Sequence, residues 1–185
     1  MHKEKLTPRK TLQMAAEKRL LKGIYMSIRV LFVCHGNICR SPMAEFVMKD
    51  LVEKAGLAAQ FHIESAATSR EEIGNPAYPP ARRKLAEHGI ACGGHAARQL
   101  TKSDYKEFDL LIGMDNANLR NMQRICGGDS DGKIHLLLDY TRHPRDVADP
   151  WYTGDFEETW QDVLAGCQGL LKELSQKRGE QDGTK

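Results

Sequence analysis

Val30-Leu31-Phe32-Val33-Cys34-His35-Gly36-Asn37-Ile38-Cys39-Arg40-Ser41-Pro42-Met43-Ala44-Glu45 is the stretch on which the fold turns. Its apolar run ending at Cys34 has the length and composition of a strand covered on both faces. In the polar loop that follows, Gly36 and Asn37 are residue types that accept left-handed backbone angles. Pro42 suits the first turn of a helix, where its missing N–H is harmless. Met43, Phe46, Val47 and Leu51 then share one face of a helix predicted over Pro42 to Lys54. A strand running through a tight loop into a helix N-terminus aims backbone N–H groups and the positive end of the helix dipole at one point. That point is an anion site. It lies at the carboxyl end of a strand, where open parallel sheets bind their ligands.

The same alternation continues along the chain. Strands are predicted at Arg29–Val33, Phe61–Ala66, Asp109–Gly113 and Ile134–Leu138, with further helices at Ala81–His88, Asn116–Ile125 and Phe156–Lys177. Gly56 and Gly89 stand just past two of the helices, in the usual stop position. Strand, helix, strand in this rhythm implies right-handed crossovers and an α/β fold, a parallel sheet sandwiched by helices. Trp160, Val163, Leu164, Cys167, Leu170, Leu171 and Leu174 recur at helical spacing and read as core. His62 and His135 fall in strand patterns and read as structural.

With 185 residues, 41% hydrophobic and 28% charged, the chain suits one domain with short appendages. Its net charge of +2 is uneven: residues 1–25 carry seven basic and two acidic side chains, a local +5, and the remainder carries −3. The expected organisation is a basic extension over 1–25, flexible and outside the catalytic unit, a domain over 26–178 beginning at Met26, and a disordered tail over 179–185. A mildly acidic body argues against nucleic acid as partner. Apolar runs such as Val30–Cys34 fall far short of the roughly 20 residues of a membrane helix, and no secretory signal pattern precedes Met26. The odd count of five cysteines fits a reducing, cytoplasmic setting better than a disulfide framework. Neither the cysteines nor the seven histidines fall at zinc-ligand spacing.

Within the loop, Cys34 is the nucleophile candidate, because a helix N-terminus beside a cation favours the thiolate. Arg40 presents a planar fork of donors matched to two phosphoryl oxygens, and Ser41 can donate its hydroxyl to the sulfur. An acid for the leaving group is sought in Arg145-Asp146-Val147-Ala148-Asp149-Pro150-Trp151-Tyr152. Asp146 and Asp149 are both candidates. Asp149 is preferred, since Pro150 restricts it to an extended conformation and Trp151 and Tyr152 supply aromatic walls.

These residues resemble the low-molecular-weight protein-tyrosine phosphatases. Cys34-His35-Gly36-Asn37-Ile38-Cys39-Arg40-Ser41-Pro42 and Asp149-Pro150-Trp151-Tyr152 occur in the family's order, joined by Ser65-Ala66-Ala67-Thr68, His95-Ala96-Ala97-Arg98-Gln99-Leu100 and Met114-Asp115. The resemblance implies a four-stranded parallel sheet with helices on both faces and hydrolysis of phosphotyrosine or aryl phosphomonoesters through a phosphocysteine. In that reading Cys34 attacks phosphorus, Arg40 and the amides of His35 to Ser41 hold the oxygens, and Asp149 protonates the leaving group. Asn37, with Ser65 and His95, buttresses the loop. No metal or cofactor is called for, as Arg40 and the amides bring the charge. Cys39 corresponds to a second loop cysteine that can form a disulfide with Cys34; the alternative is a small buried hydrophobe. Members of the family often place an aromatic wall after the second strand, whereas this chain has Ser69-Arg70-Glu71-Glu72-Ile73-Gly74-Asn75-Pro76-Ala77-Tyr78. Two acidic side chains there would repel acidic peptides.

Three rival functions share these features. Thioredoxin-coupled arsenate reductases carry a close downstream cysteine pair, but Cys92, Cys126 and Cys167 are far apart in sequence. Protein-arginine phosphatases carry Thr at the position of Ile38, and Ile38 offers no hydroxyl to position water. A silent phosphate-binding module would have lost Cys34, Arg40 or Asp149, all of which are present. Arg82-Arg83-Lys84 reads as a solvated helix face that could also draw in anionic substrates. The oligomeric state is not legible in the sequence.

Overall fold

A computed structural model describes Lys10 and residues 27–181, with side chains through Ser175. The rest of the basic extension expected over 1–25, together with Met26 and residues 182–185, lies outside the described residues. The elements in chain order are β1 (Ile28–Cys34), α1 (Arg40–Lys54), β2 (Phe61–Ala67), α2 (Pro79–Glu87), α3 (Lys102–Glu107), β3 (Leu110–Gly113), α4 (Asn116–Cys126), β4 (Ile134–Leu136), α5 (Pro150–Thr153) and α6 (Phe156–Gln181). The four strands form one parallel sheet in the order β2-β1-β3-β4.

Alternation along β1 divides the interior. Val30, Phe32 and Cys34 join the core built with α1, α2 and α6, which includes Met43, Val47, Leu85, Val163, Cys167 and Leu170. Leu31 and Val33 point to the other face, into a second core with Tyr105, Leu119, Met122 and Cys126 of α3 and α4. Helices therefore cover both faces, as expected from the apolar strands. The crossover leaving β1 runs through α1 on one face and the one leaving β3 runs through α4 on the other. The connections leaving the paired carboxyl ends of β1 and β3 consequently part to opposite faces and leave a crevice, the usual ligand site of such sheets.

The differences from the sequence expectation are local. β4 stops at Leu136, because Asp139 Oδ2 accepts the Leu136 N–H at 3.1 Å and Leu137–Tyr140 coil into a 3-10 turn. Two unpredicted helices, α3 and α5, are six and four residues long, too short to display a period. α3 is held instead by its ends: the Thr101 side chain and Asp104 cap each other's backbone N–H groups. The last helix continues to Gln181, three residues into the expected tail. It lies so close to the Leu137–Tyr140 turn that a Cβ at Gly169 would sit 2.1 Å from the Tyr140 carbonyl oxygen. Among the described residues no helix is long and apolar enough to cross a membrane.

Candidate active site

The β1–α1 loop is wrapped around the Cys34 sulfur. Sγ accepts the Asn37 N–H at 3.2 Å and lies 3.0 Å from Ser41 Oγ. Ser41 Oγ in turn accepts a hydrogen bond from Asn37 Nδ2 at 2.8 Å, which leaves its own proton free to point at the sulfur. Curling the loop this tightly puts Asn37 in the left-handed region, with φ of 58°, where Asn is among the few side chains tolerated.

Asn37 is fully buried and its side chain and carbonyl tie the loop to β2 and to the segment of His95 and Arg98. Its Nδ2 donates to Ser65 Oγ at 2.8 Å, its Oδ1 accepts the Arg98 N–H at 3.1 Å, and its carbonyl accepts from His95 Nε2 at 2.8 Å. The Ser65 hydroxyl donates to Glu45 Oε2, and Lys49 Nζ donates to Glu45 Oε1. Glu45 and Arg98 were not assigned roles from sequence. The signal for Glu45 was present: it is a carboxylate on an otherwise apolar helix face, between Ala44 and Val47, and it is buried.

Across the crevice, Arg40 is 3% exposed and held between two carboxylates. Nη1 donates to Asp115 Oδ2 at 2.8 Å and Nη2 pairs with Asp149 Oδ2 at 2.7 Å. Burial works against the Arg40 charge, but Cys34, Asp149 and Asp115 more than offset it and hold the guanidinium above its ordinary pKa. Asp115, which the sequence offered only as part of the Met114-Asp115 match, is a third residue given no role in the site from sequence. It lies two residues past β3 and caps α4, accepting the Asn118 N–H through Oδ1 at 2.6 Å. Asp149 likewise has two tasks: Oδ1 accepts the Trp151 N–H at 3.1 Å and so caps α5, leaving Oδ2 for Arg40. Asp146 faces elsewhere, accepting both N–H groups of Asn116 on its Oδ1.

Cys34, Cys39, Arg40 and Asp149 line a cavity of about 280 Å³ together with His35, Gly36, Ile38, Glu71, Glu72, Trp151 and Tyr152. The walls differ in kind. On one side Trp151 and Tyr152 stand 63% and 86% exposed, Trp151 against Tyr78 with ring centroids 5.9 Å apart. On the other side Glu71 and Glu72 occupy the wall, Glu71 facing His35 Nε2 at 3.1 Å and Glu72 accepting from Asn75 Nδ2 at 2.6 Å. Cys39 is buried beside Cys34, and burial, followed by repulsion from Cys34, pushes its thiol up to about 12. Both loop cysteines are free thiols, as are Cys92, Cys126 and Cys167. Cys126 and Cys167 sit in the cores on opposite faces of the sheet. A sulfur, a buried guanidinium and a carboxyl converging on one cavity can bind a tetrahedral anion, attack it and protonate a departing oxygen.

A sequence model of the low molecular weight phosphotyrosine protein phosphatases matches residues 29–180. The chain is 40% identical over 153 residues to the low molecular weight protein-tyrosine-phosphatase YfkJ of Bacillus subtilis, covering 82% of this chain and 98% of the relative. It is also 40% identical over 148 residues to the human low molecular weight phosphotyrosine protein phosphatase, covering 77% of this chain and 93% of that one. The crystal structure of YfkJ superimposes with a TM-score of 0.79 over 82% of this chain and 96% of that chain. A low molecular weight protein tyrosine phosphatase from Streptococcus pyogenes, 43% identical, superimposes with a TM-score of 0.72 over 80% and 93%. The chain belongs to the low-molecular-weight phosphotyrosine protein phosphatase family, and it is a phosphoric monoester hydrolase.

Proposed function

We propose that this enzyme hydrolyses phosphotyrosine and related aryl phosphates through a phosphocysteine, with Cys34, Arg40 and Asp149 as its catalytic residues. The observation that carries the reading is the placement of Arg40, buried at the cavity floor with Asp149 on one guanidinium nitrogen. The Cys34 thiolate attacks phosphorus, forming an S–P bond while the P–O bond to the aryl group breaks. Arg40 and the backbone amides of His35 to Ser41 hold the remaining oxygens. The proton of Asp149 goes to the departing phenoxide. In the second step water attacks phosphorus, Asp149 takes its proton, the S–P bond breaks and inorganic phosphate leaves.

The Arg40–Asp149 ion pair has a place in this sequence. An arriving phosphoryl dianion competes with Asp149 for Nη2, while Asp115 keeps Nη1. The displaced carboxyl is then released from the guanidinium and can turn to the departing oxygen. The aromatic wall suits a phenyl ring, and Glu71 and Glu72 disfavour acidic segments beside the phosphotyrosine. The odd number and scattered positions of the five cysteines support a reducing compartment, the cytoplasm.

Cys34→Ser tests the assignment. The expected result is loss of p-nitrophenyl phosphate turnover with phosphate binding retained. Turnover by the variant at the wild-type rate would remove Cys34 from the role of nucleophile.

A further inference from the structure

Asp162 is a carboxylate that the chemistry above does not use, yet it is 6% exposed on α6. A buried carboxylate is costly unless its oxygens are satisfied. Here both are satisfied by the loop that carries Asp149. Oδ2 accepts from Arg145 Nη1 at 2.9 Å and from the Ala148 N–H at 3.0 Å, and Oδ1 accepts from Arg145 Nη2. One helical turn earlier, Thr159 is fully buried and donates its hydroxyl to the Ala148 carbonyl at 2.9 Å, with the Asp155 carbonyl at 3.2 Å as a second acceptor. Both backbone polar groups of Ala148, its N–H and its carbonyl, are therefore gripped by α6. The preceding residue is pinned as well, by the Val147 N–H to the Met114 carbonyl at 2.8 Å.

We propose that Asp162 and Thr159 are positioning residues that set where the Asp149 carboxyl stands; the proposal rests on the reading of Asp149 as general acid. Proton transfer requires the acid within hydrogen-bond reach of the departing oxygen, and a displacement of about 1 Å costs up to ~100-fold. Asp149 follows directly on the clamped residue, so loosening the clamp lets the acid drift while Cys34 and Arg40 stay in place.

The test compares kcat/KM, which covers the steps up to the phosphocysteine, for p-nitrophenyl phosphate and phenyl phosphate. Phenoxide is the poorer leaving group and depends more on the acid. Asp162→Asn keeps the volume but has one acceptor oxygen for three N–H donors, and Thr159→Val removes the hydroxyl at constant shape. Both are expected to lower phenyl phosphate turnover about 10-fold more than p-nitrophenyl phosphate turnover, with Thr159→Ser restoring wild-type behaviour. A partly unfolded variant would lose both substrates equally, so the ratio reads position rather than stability. Equal losses, or none, in both variants while Asp149→Ala remains selective would overturn the clamp. If Asp149→Ala shows no leaving-group selectivity, the acid assignment fails and the clamp fails with it.

Discussion

Asn37→Ala is the sharpest probe of the loop, because one small side chain connects three segments. It deletes the hydrogen bonds to Ser41, Ser65 and the Arg98 N–H. At about 1 kcal/mol each these account for about 3 kcal/mol. Alanine must also hold the φ of 58° that Asn tolerates, which adds about 1 kcal/mol. The expected loss is about 4 kcal/mol, and for a slope of about 2 kcal/mol per molar urea the unfolding midpoint drops by about 2 M. Asn37→Gly loses the same bonds without the backbone strain, but gains unfolded-state entropy of about 0.5–1 kcal/mol, so it should unfold at or slightly above the alanine variant. A double-mutant cycle with Ser65→Ala isolates the direct bond, with a coupling of about 1 kcal/mol expected. A midpoint within about 0.5 M of wild type, or additive single and double variants, would refute the view that Asn37 ties the loop to β2.

Two further perturbations test the packing and the thiols. Gly169→Ala would ordinarily strengthen a helix by up to about 1 kcal/mol, but here the new methyl meets the Tyr140 carbonyl at 2.1 Å, so α6 must shift and stability should fall by about 2 kcal/mol. A rise in Tm for this variant would contradict the close approach. Burial raises Cys39 from 9.0 to about 12, so between those values the folded chain keeps a proton that the unfolded chain releases. Stability therefore falls as pH rises above about 9, by about 1.4 kcal/mol per pH unit for this thiol, and Cys39→Ala should flatten that decline. Thermal melts across this range check it, and identical slopes in the two proteins would count against the buried thiol.

What the sequence made legible follows from range. The strands and long helices are visible because burial on two faces or on one stripe leaves a period in the residues themselves, as in Val30–Val33 or along Trp160, Val163 and Cys167. The loop was legible for a related reason, since strand, Gly36-Asn37, Arg40 and a helix start are contiguous and their joint geometry is local. α3 and α5 left no period because each is held by its caps, and β4 ended early because of one carboxylate, Asp139, rather than a change in hydrophobicity. Local pattern does not record such single contacts.

The site's electrostatics lie beyond that range altogether. Arg40 and Asp149 could each be singled out by residue type and neighbourhood, but not the fact that Asp115 and Asp149 share one guanidinium. That sharing depends on β1 and β3 being adjacent in the sheet, so that the ends of two strands distant in sequence face each other across the crevice. The loop that carries Asp149 then reaches the same point because Val147 bonds to Met114, just past β3, and Ala148 bonds to α6. Each aspartate looks, in isolation, like a helix cap, and each is one. Capping uses Oδ1 in both cases and leaves Oδ2 directed at Arg40, so the residues that cap α4 and α5 also supply the counter-charge of that buried arginine.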